Sequence, residues 1–184
     1  MSDVRDDAPD YLAKDRATQA GAAPRGENTV WGPTLTIDRP RDELYAFWRD
    51  FANLARFMEN VEAVSVLDAR RSRWKVRGPN GRYEWDAIVT EDEPGRVFAW
   101  ESAPDADVRN SGRVEFRDAP PGRGTWVRAV IAYDAPMGFI GRAVAALTQK
   151  EPQISATRDL KRFKQLMETG EIATSSPPNP PSDS

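Results

Sequence analysis

Neither cysteine nor histidine occurs among the 184 residues of this chain. The missing cysteines exclude disulfide bonds, thiolate nucleophiles and zinc fingers. The missing histidines exclude Ser-His-Asp and Cys-His catalysis and remove the commonest metal ligand in proteins. Carboxylates, Lys, Arg, Tyr and Ser are the groups left for chemistry. The sequence therefore predicts a protein without metal or cofactor, which either binds a ligand or works with few ionisable groups.

Long hydrophobic runs are also missing, since no stretch approaches the roughly 20 apolar residues of a membrane-spanning helix. The first ten residues are acidic and polar and lack the apolar stretch of a signal peptide. The net charge is −3, and Lys and Arg alternate with Asp and Glu, which argues against a nucleic-acid partner. We expect a soluble, cytoplasmic protein without an integral membrane segment. Its oligomeric state is left open.

Composition divides the chain into three parts. Residues 1–28 lack periodicity and are rich in Asp, Ala, Gly and Arg, which is typical of a disordered leader. Residues 173–184 form a Pro- and Ser-rich tail that we also expect to be disordered. Residues 29–172 have the length of one ordinary domain.

The middle of the chain alternates between apolar and charged side chains. Tyr83, Trp85, Ala87 and Val89 alternate with polar residues, as in a strand with one dry and one wet face. Similar runs, separated by Gly- and Pro-rich turns, predict antiparallel strands joined by hairpins. The predicted strands cover residues 30–37, 61–67, 72–77, 82–91, 96–102, 112–117 and 125–133.

Two regions have helical spacing instead. After Pro40, apolar residues at positions 44, 47, 48 and 51 predict one helix, and a second short turn carries residues 54, 57 and 58. From residue 140 to Gly170 the apolar spacing predicts a long terminal helix, with Pro152 as a kink or a new start. A helix of this length needs a large dry surface, and the concave face of the sheet provides one.

This order of elements resembles the helix-grip fold, an α+β fold in which a curved antiparallel sheet of about seven strands wraps around a long C-terminal helix. In detail the chain is similar to the bacterial polyketide cyclase/dehydrase branch of the START-like superfamily (also called SRPBCC), which includes coenzyme-Q-binding proteins. The segments that carry the likeness are residues 36–40, 45–48, 53–58, 73–74, 84–87, 93–96, 110–112 and 159–164. The resemblance implies a cavity between sheet and helix that takes one hydrophobic molecule. It implies no catalytic residue, because the chain carries no catalytic motif to match.

The candidate ligand-binding residues are apolar and aromatic side chains on the dry faces of the strands, in the turn after the last strand and on the last helix. Such side chains line most small-molecule pockets, although the same rings also pack ordinary cores. Tyr83 and Tyr133 offer phenol groups that need a hydrogen-bond partner when buried. The full set is Trp74, Tyr83, Trp85, Phe98, Trp100, Phe116, Tyr133, Met137, Leu160 and Phe163.

The carboxylates of the strands are predicted to lie on the wet face. Glu84, Asp86 and Glu115 share a parity with Arg or Lys, which favours cross-strand ion pairs over an acid–base pair, while Glu101 is less clear. Asp105, Asp107, Arg109 and Asn110 are predicted loop residues near a pocket mouth. The cluster of Lys161, Arg162 and Lys164 is predicted to be the solvated back of the last helix.

Three functions follow from these patterns. The first is a carrier or sensor for a lipid, a quinone or a polyketide-like aromatic. The second is an aromatase/cyclase that folds its substrate with a Tyr, an Arg and ordered water, which an inward Glu101, Arg109 or Arg128 would favour. The third is an interaction module with a filled core. We rank the carrier or sensor first.

Overall fold

The computed structural model of the chain describes residues 29–78, 81–106, 108–134 and 151–173. The predicted leader, Met137, the apolar residues from 140 to 147 and nearly all of the predicted tail lie outside these ranges. The division into one domain and two tails therefore stays a prediction.

A seven-stranded antiparallel sheet forms the body of the fold, in the strand order β1-β7-β6-β5-β4-β3-β2. Consecutive strands from β2 to β7 pair as a meander, and β1 closes against β7. This confirms the predicted fold class and every predicted strand. The strands are β1 (Thr29–Ile37), β2 (Val61–Val66), β3 (Arg71–Gly78), β4 (Gly81–Glu93), β5 (Val97–Ser102), β6 (Arg109–Asp118) and β7 (Thr125–Asp134).

The start of β6 differs from the prediction. The strand begins at Arg109, three residues before the predicted start, and Arg109 pairs with Asp134 of β7. Residues 109–111 are all polar, so they give no apolar alternation for a sequence pattern to detect. Arg109 and Asn110 are therefore strand residues, and their prediction as loop residues was wrong.

Three helices and a 3-10 turn complete the described fold. Helix α1 (Arg41–Arg49) follows Pro40 and has Asp42 and Glu43 in its first turn, where the helix dipole favours negative charge. The 3-10 turn (Phe51–Asn53) is capped by the Asp50 side chain, and α2 (Leu54–Phe57) follows directly. Helix α3 (Glu151–Thr169) contains Pro152 as its second described residue. It ends at Gly170, which has a φ of 80° and donates its N–H to the Leu166 carbonyl at 2.9 Å.

The core lies between the concave face of the sheet and the helices. Helix α3 packs mainly on β1, with further contacts to α2 and β7, and its side chains Leu160 and Phe163 are fully buried. The α1 and α2 side chains Leu44, Trp48 and Phe57 belong to the same core. The described part of α3 thus lies over one end of the sheet, the end formed by β1 and β7. None of the helices in the described ranges is long and apolar enough to cross a membrane.

Candidate functional site

Four rings on β3, β4 and β5 form a continuous aromatic surface on the concave face. Trp74 stacks on Trp85 with ring centres 6.2 Å apart and on Trp100 at 5.8 Å. Phe98 continues the row, 5.9 Å from Trp100. All four side chains are buried. We call Trp74, Trp85, Phe98 and Trp100 the aromatic wall.

The strand register explains why these rings meet. Trp74 and Trp85 are direct cross-strand partners, and Trp100 lies opposite Val89 on the other side of β4. Ala87 is the small buried residue between Trp85 and Val89 on the same face of β4. Cross-strand neighbours on one face are about 5 Å apart. The small Ala87 side chain leaves room between them, so the large rings around it can lie parallel.

Gly112 lets the Trp100 indole lie flat against the sheet. The two residues are cross-strand partners, and a Cβ built on Gly112 would lie only 2.1 Å from the Trp100 ring. Gly112 does not have a positive φ. Steric room for the ring, rather than backbone conformation, is the reason for glycine at this position.

The indole N–H groups of the aromatic wall differ in their partners. Trp74 Nε1 donates to Ser72 Oγ at 3.0 Å, and Trp100 Nε1 donates to Asn110 Oδ1 at 3.1 Å. Trp85 Nε1 is buried and has no hydrogen-bond partner in the structure. The wall therefore has one polar atom with unused hydrogen-bonding capacity.

One end of the aromatic wall meets a charged group. The Arg49 guanidinium lies 5.4 Å from the centre of the Phe98 ring and 5.5 Å from that of Phe51. Arg49 Nε also donates to Asp92 at 2.8 Å, and Asp92 accepts a hydrogen bond from the Tyr45 hydroxyl. Partial burial, reinforced by Asp92, raises the pKa of the Tyr45 phenol to about 12. Tyr45 is therefore a neutral donor at physiological pH rather than a base.

The buried charges of the sheet lie on its convex face. Glu115 and Arg128 are both buried and are cross-strand partners, with Arg128 3.9 Å from the Glu115 carboxylate. Arg113 donates to Glu115 at 2.9 Å and also pairs with Glu91. Glu115 was expected on the wet face. It does lie on that face, but it belongs to a buried ion-pair network and not to a solvated surface.

The other strand carboxylates agree better with the prediction. Glu84 is exposed and pairs with Lys75 at 3.2 Å, and Asp86 pairs with Arg73 at 2.7 Å. Glu101 and Arg109 are exposed, and Arg128 is on the convex side. None of the three groups that would have favoured an enzyme therefore faces the aromatic wall.

The remaining candidate residues make other contacts in the core or lie outside the described side chains. Phe116 contacts Tyr45 edge-to-face at 6.0 Å, and Tyr83 is partly buried against the core.

The candidate residues of α3 pack in the core. Phe163 packs against Phe47, Trp48 and Phe57, so it belongs to an aromatic cluster that holds α3. Leu160 of the same helix is fully buried. The Tyr133 side chain, Met137 and Asp107 lie outside what the structure describes.

Sequence patterns did not reveal a polar contact between α3 and the turn after α2. Asp159 accepts the Glu59 backbone N–H at 3.0 Å. Arg162 Nε donates to the Phe57 carbonyl at 2.9 Å, and Arg158 pairs with Glu59 at 2.9 Å. Burial raises the pKa of the Asp159 carboxyl to about 6, although the Glu59 N–H and Arg162 favour its charged form.

This contact corrects the interpretation of the basic cluster on α3. Lys161 is exposed, as expected of a solvated helix back. Arg162 instead bonds to the Phe57 carbonyl at the end of α2, and Lys164 bonds to the Thr36 carbonyl of β1 and pairs with Glu168. The Lys164–Glu168 pair is local, but the bonds to Phe57 and Thr36 join residues more than 100 positions apart, so no local pattern could have shown them. In the described residues, no group of three or more acidic side chains is arranged to hold a metal ion.

Comparison with protein families gives one match. The model described as polyketide cyclase/dehydrase and lipid transport matches residues 37–152, which is more than half of the chain. No curated protein matches at a significant level.

Solved structures also match this chain. A Deinococcus radiodurans protein is 39% identical, with a TM-score of 0.65 over 79% of this chain and 100% of its own. A START superfamily protein from Mycobacterium smegmatis is 13% identical, with a TM-score of 0.59 over 75% of this chain and 98% of its own. The Zhui aromatase/cyclase from Streptomyces is 16% identical, with a TM-score of 0.58 over 79% and 98%. The last two matches show a shared fold.

Proposed function

Because the chain belongs to the polyketide cyclase/dehydrase and lipid transport family, we propose that it binds an apolar small molecule on its concave face, as a carrier or a sensor. The ligand lies against the aromatic wall. Lipids, quinones and polyketide-like aromatics are the ligand classes that suit such a surface. The family combines polyketide cyclases and dehydrases with lipid transport, which is consistent with a hydrophobic ligand.

The separation of rings from charges carries this proposal. The wall consists of four buried aromatic side chains, while the buried charges Glu115 and Arg128 lie on the convex face of the sheet. On the concave side of the strands, the buried polar residues within the described ranges are Ser72 and Thr125. Ser72 bonds to Trp74, and Thr125 bonds to the Arg39 carbonyl at 2.8 Å. An apolar surface on which the described residues place no free charge favours a hydrophobic ligand, because a charged ligand would lose its hydration without compensation.

Native mass spectrometry of the purified full chain tests the proposal, together with tryptophan fluorescence during titration with a fatty acid and a quinone. We expect either a co-purifying apolar molecule or a saturable change in fluorescence, because three tryptophans line the wall. The proposal fails if no such molecule co-purifies and the fluorescence is unchanged by both ligand classes.

An aromatase/cyclase-type enzyme is the second candidate, favoured by one observation. The Arg49 guanidinium lies on the rings of Phe51 and Phe98, which places a cation at the end of the aromatic wall. A cation there stabilises negative charge that develops on a ketone oxygen during ring closure. Turnover of a poly-β-ketone substrate that falls in Arg49→Lys, Tyr83→Phe or Tyr133→Phe favours the enzyme. Unchanged turnover in all three variants counts against it.

A further inference from the structure

The indole N–H of Trp85 is the one polar group of the aromatic wall that has no partner. Its side chain is more than nine-tenths buried, and Nε1 makes no hydrogen bond. A buried donor without an acceptor is unfavourable by roughly 1–3 kcal/mol, so most native proteins satisfy such groups. The neighbouring Trp74 and Trp100 do so through Ser72 and Asn110. Trp85 is the exception within the wall.

Ring geometry explains why Trp74, the described ring that meets Trp85, does not replace the missing acceptor. An aromatic face can accept an N–H group that points at it. Trp85 meets Trp74 with an angle of only 12° between the ring planes, so the two rings are parallel and present faces, not edges, to each other. Trp48 Nε1 is also buried without a hydrogen bond, but Trp48 meets Phe163 nearly perpendicularly, at 88° and 5.0 Å. Trp48 therefore has a perpendicular ring beside it, whereas the ring that Trp85 meets within the described residues is parallel to it.

We propose that Trp85 Nε1 is the polar anchor of the ligand site and donates a hydrogen bond to an acceptor oxygen of a flat, apolar ligand. This inference rests on the proposed function and narrows the ligand class. The ligand is a molecule with a planar ring system that lies along the wall and carries a carbonyl oxygen, as in an aryl ketone or a quinone. The neutral donor selects a neutral acceptor, because no cation of the described residues lies on the Trp85 ring to compensate a carboxylate.

Two probes of nearly equal shape separate the hydrogen bond from the apolar contact. 1-Acetonaphthone and 1-ethylnaphthalene share the same rings, and only the first carries a carbonyl oxygen. The affinities of the full chain for both probes are measured in the wild type, in Trp85→Phe and in Trp48→Phe. Trp85→Phe keeps an aromatic ring but removes the N–H group. Trp48→Phe removes the same group from the cluster that holds α3, and serves as the matched control.

We expect the affinity of the ketone relative to the hydrocarbon to fall roughly two- to tenfold in Trp85→Phe, the range of one neutral hydrogen bond. The ratio stays at the wild-type value in Trp48→Phe. In the wild type, the Trp85 indole proton moves downfield in the ¹H–¹⁵N spectrum with the ketone and not with the hydrocarbon. If Trp85→Phe does not fold, the wild-type spectrum alone tests whether Trp85 Nε1 donates a hydrogen bond to the ketone.

Each outcome bears on a different claim. Both probes binding with the same ratio in the wild type and in Trp85→Phe overturns the anchor and leaves the proposed function intact. An unshifted Trp85 proton in the presence of bound ketone overturns it as well. Failure of the wild type to bind either probe overturns the proposed function, and the anchor with it.

Discussion

At the scale of single residues, Gly112 and Trp100 show how one missing side chain shapes the candidate site. Gly112→Ala adds a methyl group where the Trp100 indole now lies, 2.1 Å from the new Cβ position. Because the ring must move, we expect a loss of about 1–3 kcal/mol in the free energy of unfolding and weaker ligand binding. Urea denaturation and near-ultraviolet circular dichroism measure both the loss and the ring displacement.

The double variant provides the control for Gly112. In a Trp100→Phe background the smaller ring leaves more room, so the same Gly112→Ala change should be less destabilising. A coupling of 0.5 kcal/mol or more between the two positions is typical of residues in contact. Additive effects of the two substitutions would show that the methyl group does not act through the indole.

Glu115 carries a separate prediction, because it is buried on the face opposite the aromatic wall. Glu115→Gln removes the negative charge between Arg113 and Arg128. Breaking a buried pair typically lowers stability by about 3–5 kcal/mol, and the amide that remains should keep the loss near the lower end. The matched Glu84→Gln, from the exposed pair with Lys75, should lower it by less than about 1 kcal/mol. Equal effects of the two variants, or an altered ligand affinity in Glu115→Gln, would contradict this assignment.

At the scale of elements, the contact of α3 with the turn after α2 should make stability depend on pH. The pKa of Asp159 is raised to about 6, so the folded state favours its protonated form. The stability that protonation provides is fully present at pH values below the ordinary pKa of an aspartate. It is lost as the pH rises through about 6. We expect the wild type to be roughly 1–2 kcal/mol less stable at pH 7.5 than at pH 5 because of this group.

Asp159→Asn isolates that contribution. The asparagine retains an oxygen that accepts the Glu59 backbone N–H but does not titrate in this range. Denaturation curves at pH 5, 6 and 7.5 should therefore show a smaller decrease in stability for the variant than for the wild type. Identical pH profiles would mean that Asp159 is not the responsible group.

The elements were largely predictable from the sequence, because each depends on local patterns. Alternation along the strands and the Gly- and Pro-rich turns predicted all seven strands, and Pro40 and Gly170 marked helix ends. The start of β6 at Arg109 was missed, since it depends on pairing with Asp134 and not on apolar side chains. The hydrogen bond from the Glu59 backbone to Asp159 spans 100 residues and depends on how α3 is placed.

At the scale of the whole molecule, the sequence predicted which face of the sheet is apolar. It did not predict how the aromatic rings divide between the aromatic wall and the cluster around Phe163. The predicted ligand-binding residues included both Phe163 and Trp74, because both belong to apolar stripes. In the structure, Phe163 meets rings from α1 and α2, whereas Trp74 meets rings from β4, β5 and the 3-10 turn. The unpartnered N–H of Trp85 was also beyond prediction, because hydrogen-bond partners depend on the positions of individual atoms. The family resemblance predicted from the sequence is confirmed.

Binding at the aromatic wall is tested most directly by following the indole N–H signals of the full chain in the ¹H–¹⁵N spectrum during titration with 1-ethylnaphthalene. Trp126 is an internal reference, because it pairs with Arg117 and Thr36 on the convex face. We expect the Trp74, Trp85 and Trp100 signals to shift together and saturate, while the Trp126 signal stays in place. Three unchanged wall signals, or a Trp126 signal that shifts as much as they do, would contradict binding at the wall.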